Sequence, residues 1–201
     1  MSEQHDGLSE PRLSPSIPYI NYSILNYGET LPRKITYDRV KAVQYAETWW
    51  NGFNPKYLEF EVDCTNFVSQ CLFAGGAPMD YTGKRELGWW YAGKQGGQEL
   101  WSFSWAVAHS LQIFTSTSRR GLRGVPVERP QELQPGDIIS YDWDGDGRFQ
   151  HNTIVTLMDA NGMPLVNAHT YAARHRYWDY RDSPAWTERT RYSFIRISDE
   201  M

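Results

Sequence analysis

Pro135-Gly136 divides this chain into two patterns. Before the break, apolar residues recur at helical spacing; after it, they alternate as strand residues do. Thr36 can cap a helix from Tyr37 to about Trp50, with Val40, Val43, Ala46 or Glu47, and Trp50 along one side and Asn51-Gly52 as its stop. A second helix is expected over Cys64–Phe73, with Asp63 as N-cap, Phe67, Cys71 and Ala74 in phase, and Gly75-Gly76 as terminator. A third is expected from Trp105 to about Phe114, capped by Ser104, with Val107, Leu111 and Phe114 aligned. Strands are expected at Ile138–Tyr141, His151–Met158, Pro164–Thr170 and Tyr192–Ile197. Helices followed by an antiparallel sheet define an α+β class. Residues 78–101, rich in Gly, Trp and turn formers, read as a long surface loop.

The length of 201 residues fits one domain with an extension. Residues 1–33 form that extension, a polar arm broken by Pro11, Pro15 and Pro18 whose aromatic end (YINYSILNY) is expected to pack on the domain of residues 34–201. A net charge of −4 speaks against a general nucleic-acid binder. No apolar run is long enough to span a membrane, and the first residues lack a signal-peptide pattern. The chain as written is therefore expected in the cytoplasm, with cell-wall or spore association as the alternative, and as a monomer.

Two cysteines are too few for a disulfide scaffold or a four-thiolate zinc site. Cys64 and Cys71 lie about two helical turns apart, roughly 10 Å, beyond disulfide reach, so both are expected free. Cys64 falls in the first turn of its helix, where unpaired N–H groups and the helix dipole favour thiolate over thiol; Asp63 partly opposes this. Downstream, His151 opens one strand and His169 lies near the end of another. Neighbouring strands could bring both rings to Cys64, with His151 taking the thiol proton and a second polar group orienting the imidazole. Asn167 and His169 share strand parity, so either could be that group. A zinc site from Cys64, His151 and His169 has no familiar spacing, and neither a metal nor another cofactor is expected.

The segments Thr36-Tyr37-Asp38-Arg39 with AVQYAETWW, DCTNFVSQCLFAGG, GDIISYDWDGDG…HNTIV and NAHT resemble the putative amidase domain family across residues 36–197. That family is related to the NlpC-type and CHAP cell-wall hydrolases, so the resemblance implies a papain-like fold. It implies Cys64 as nucleophile, His151 as base and His169 as third residue. Gln150 and Asn152 depart from the acidic and apolar neighbours usual around the base. The backbone N–H of Cys64 would serve the oxyanion, a contribution of about 2.7–4 kcal/mol for one such donor.

Other residues receive blander readings. Asp142, Asp144, Asp146 and Gly147 match the start of a calcium loop, but Thr153 stands where an EF-hand needs Glu, which favours a plain turn. His5 belongs to the arm, His109 to a packed or surface helix position, and His175 to an exposed basic loop. Asp63, Asn167 and the aromatics Trp89, Trp90 and Trp105 are candidates to touch substrate, with Tyr91 and Trp101 beside them. Arg174, Arg176, Arg181, Arg189 and Arg191 could meet peptide carboxylates, although a solvated surface is the default. The expectation is a cysteine amidase or peptidase acting on peptides or muropeptides. A non-catalytic cell-wall or glycan binding module and an acyltransferase using the same thiol are the rivals.

Overall fold

The computed structural model describes residues 35–95 and 98–201. His5 and the arm, with its expected packing, lie outside the described residues. Helix α1 spans Arg39–Trp49 and α2 spans Cys64–Ala74. A hairpin follows, β1 (Tyr91–Gln95) with β2 (Gln98–Trp101), then α3 (Phe103–Ala106) and α4 (Ala108–Thr117). The strands β3 (Gly124–Val127), β4 (Ile138–Asp142), β5 (His151–Met158), β6 (Pro164–Ala168), β7 (Ala173–Tyr177) and β8 (Arg191–Ile197) form one antiparallel sheet in the order β3-β8-β4-β5-β6-β7. The class is α+β, helices first and sheet after.

Both faces of the sheet are covered. Strand period sends Ile138, Ile154 and Ile195 to the helices, where they meet Phe67, Leu72, Trp105 and Leu111. It sends Ile139, Tyr141, Val155, Val166 and Phe194 to the opposite face, closed by Leu133 and Tyr180. Central strand β4 is accordingly buried at all five positions.

Helix α2 is the central helix, with Cys64 to Leu72 all buried. Its polar side chains survive there because each has a partner. Asn66 accepts from Trp105 Nε1 (2.8 Å) and donates to Leu58 O. Ser69 accepts from Trp89 Nε1 (3.0 Å) and donates to Trp105 O.

Several expectations change. The α1 cap is Asp38, whose carboxylate accepts from Lys41 N (3.1 Å); Thr36 instead makes a β-bridge with Glu200. Ala42 and Ala46 form the buried side of α1, and Val40 points to solvent. The third helix is two, α3 and α4, separated at Val107, whose extended backbone breaks the helical path. Residues 78–101 contain the β1–β2 hairpin and bury two tryptophans, so they are not a surface loop. Strand β6 ends at Ala168, and β3 and β7 add the two edges of the sheet.

Candidate active site

Cys64 is the first residue of α2, and only 2% of it is exposed. Both cysteines are free. Burial raises the Cys64 pKa above the ordinary thiol value. The Asn152 backbone N–H and the Thr65 hydroxyl and N–H lower it, with Thr65 Oγ1 3.7 Å from the sulfur, and nearby Asp63 raises it again. Burial wins, so the resting sulfur is a thiol, and the expectation of a thiolate at this helix start is overturned.

His151 opens β5 opposite Tyr141 of β4 and so faces the second core. Its ring packs among Tyr141 (centroids 5.4 Å), Trp143 (5.9 Å) and Tyr180 (5.4 Å). Burial first, and the Arg176 cation second, push its pKa down to about 3. The imidazole is therefore neutral at neutral pH and able to take a proton. Its Nε2 is sealed from solvent with no hydrogen-bond partner.

Cys64 and His151 line one cavity of about 350 Å³, walled by Trp143, Tyr171, Arg176 and Tyr180. Three roomier clefts among the described residues, of about 610, 430 and 390 Å³, hold none of the candidate nucleophiles or bases. Among the described residues no hydrogen bond joins the thiol to the imidazole in this resting arrangement. Such bonds commonly tighten only when substrate is bound.

Neither candidate for the third position orients His151. Ile154 pairs with Asn167, and His151 stands three residues before Ile154, so His151 and Asn167 project from opposite faces. Asn167 turns to the helices: it donates to Glu47 Oε1 (2.9 Å) and accepts from Thr156 Oγ1 (3.1 Å) and His175 N (2.9 Å). His169 stacks on Phe67 at 4.0 Å and spends both ring nitrogens elsewhere. Nδ1 lies 2.7 Å from Asp63 Oδ2 and Nε2 lies 2.6 Å from the Trp49 carbonyl. His169 thus straps the end of α1 to the residue before Cys64.

Asp63 is part of that strap and neither caps α2 through its side chain nor touches the cavity. Its Oδ1 accepts from Phe60 N (3.1 Å) and Asn66 Nδ2 (2.8 Å). Asn152 likewise acquires a structural task. Its side chain donates to Thr65 Oγ1 (3.1 Å), tying β5 to the first turn of α2.

Trp89, Trp90 and Trp105 are at most 1% exposed and line no part of the cavity. They are core rather than groove. The aromatic walls are instead Trp143, Tyr171 and Tyr180, which the sequence reading did not single out. The only advance signal for Trp143 was its place in the DWDGDG turn. There Asp142 accepts from the backbone N–H of Gly145 (2.8 Å), Asp146 (3.2 Å) and Gly147 (2.8 Å), the plain-turn arrangement. His109 accepts from Phe149 N at 3.4 Å. His175 lies in β7, not in an exposed loop, and pairs with Glu47 at 2.8 Å.

A model of the putative amidase domain matches residues 36–195. The uncharacterized protein YhbB of Bacillus subtilis strain 168 is 51% identical over 184 residues, which is 89% of this chain and 58% of the relative. The chain thus spans little more than half the length of that relative. No solved structure matches it. The family match runs from the Thr36 bridge into β8 and takes in both Cys64 and His151, so the chain belongs to the putative amidase domain family.

Proposed function

We propose that the chain is a cysteine-dependent amide hydrolase, with a papain-like arrangement of a helix-borne thiol against a strand-borne histidine. The observation that carries this reading is that Cys64 and a neutral His151 line one cavity. A substrate carbonyl enters beside Cys64, and His151 accepts the thiol proton as sulfur attacks carbon. Coupling the two events suits a resting thiol and an unprotonated imidazole. The first N–H groups of α2 have no intrahelical acceptor and can meet the oxyanion, that of Cys64 being the nearest to the new bond. His151 then gives its proton to the departing amine, leaving a thioester on Cys64. Water, deprotonated by His151, cleaves the thioester and restores the thiol.

No cofactor enters this scheme. Amides of cell-wall peptides, or the amide joining such a peptide to glycan, are the substrate class the family resemblance favours. Among the described residues, no helix is long and apolar enough to cross a membrane. The test is incubation of wild type and Cys64→Ser with muropeptides and simple amides, followed by mass spectrometry. Hydrolysis by wild type alone is expected. No hydrolysis by either protein would favour a binding module on the same fold.

A further inference from the structure

Among the residues lining the active-site cavity, Arg176 carries the single formal charge, and none of the others is a carboxylate. Strand register puts Arg176 on this face: Val155 pairs with Val166 and Val166 with Arg176, and His151 shares the parity of Val155. The guanidinium lies 3.9 Å from the centre of the Tyr180 ring. Asp182 occupies the Nε/Nη2 edge through one oxygen, at 3.1 and 2.9 Å. The guanidinium's other neighbour is the Tyr180 hydroxyl, where the cation offsets part of the rise that burial imposes on the phenol pKa.

Tyr180 supplies the second observation. It is 3% exposed, lines the cavity, and its hydroxyl has no hydrogen-bond partner. A buried hydroxyl left unpaired in a cavity wall awaits a ligand atom. Its backbone adopts φ 55, a conformation uncommon for a bulky residue and frequent at functional sites.

We propose that Arg176 and Tyr180 receive a carboxylate of the substrate, so that the acyl group presented to Cys64 belongs to an amide carrying a free acid. The chemistry fits on both sides. Guanidinium binds carboxylate through two parallel N–H bonds, and a phenol adds a third donor. Asp182, with a side chain 73% exposed, is a solvated counter-ion whose exposed pairing contributes little and yields readily to a bound anion. The acyl-transfer role of the site rests on the hydrolase reading above; the anion site does not.

The probe is glutarate, a small dicarboxylate, titrated calorimetrically into the whole chain beside neutral glutaramide and inorganic phosphate. Glutarate is expected to bind and to slow alkylation of Cys64 by iodoacetamide, with glutaramide and phosphate at least about tenfold weaker. Arg176→Gln should weaken glutarate by about tenfold or more, Arg176→Lys by less, and Tyr180→Phe by several-fold. Asp182→Asn should tighten it, which a merely structural role for the pair would not produce. Absence of binding, equal binding of phosphate or glutaramide, or unchanged binding in Arg176→Gln with its fold intact overturns the proposal. Binding by a protein that hydrolyses no amide would uphold the anion site and sink the hydrolase reading. Hydrolysis of neutral amides without glutarate binding would do the reverse.

Discussion

Asp63→Ala separates two accounts of the residue preceding Cys64. If Asp63 were only an N-cap, its loss would cost about 1 kcal/mol. In the structure its carboxylate makes no cap bond; it holds His169 at 2.7 Å and accepts from Phe60 N and Asn66 Nδ2. Both members of the pair are buried, with side chains 2% and 6% exposed. Removing one partner of a buried pair typically costs about 3–5 kcal/mol, because the other stays buried and unpaired. For a domain of this size that lowers Tm by roughly 6–20 °C. Thermal unfolding of Asp63→Ala, His169→Ala and the double variant measures both the cost and the coupling, which should exceed about 1 kcal/mol. A loss near 1 kcal/mol in Asp63→Ala, with additive single effects, would refute the strap.

His151 titrates near 3 in the fold but near 6.5 when unfolded, so the unfolded chain binds the extra proton between those values. Stability should therefore fall as pH drops from about 6.5 towards 3, by roughly 4–5 kcal/mol through this residue. Subtracting the pH–stability curve of His151→Gln from that of wild type should isolate the effect; parallel curves would contradict it. Trp105→Ala should cost about 3–5 kcal/mol as a core truncation that also removes the donor to Asn66 Oδ1. Trp143→Ala, on the cavity wall, should chiefly raise KM, and paired unfolding and kinetic measurements distinguish the two. Asp142→Ala strips an acceptor from three backbone N–H groups and should cost about 2–3 kcal/mol by chemical denaturation, with calcium leaving wild-type Tm unchanged.

The central elements were legible because local pattern and burial agree there. Helix α2 has a polar residue before it, a Gly-Gly stop and apolar residues in phase, and its expected span is one residue short of that observed. Strands β4, β5 and β8 are apolar runs bounded by turns, and they are the middle of the sheet. The edge strands were not legible. β7, Ala173–Tyr177, carries Arg and His that one-sided edge positions tolerate, and β3 contains Pro126.

At the site, Cys64 and His151 were accessible as residue types in suggestive positions. Their third partner was not, because parity within β6 says nothing of which face β5 shares with it. Only the Ile154–Asn167 pairing shows that Asn167 and His169 turn away from His151. The tryptophans misled for a related reason. Core and groove both call for large aromatic rings, and their indole N–H bonds to Ser69, Asn66 and Leu87 become visible only in three dimensions. The thiol state likewise depended on burial, which a helix-start position alone does not reveal.

The most direct measurement is the mass of the Cys64 peptide after rapid acid quenching of wild type with a turned-over amide. The account predicts an increment equal to the acyl group on Cys64, absent in Cys64→Ala and in His151→Ala. Product formation by Cys64→Ala at the wild-type rate, or an acyl group carried elsewhere, would contradict it.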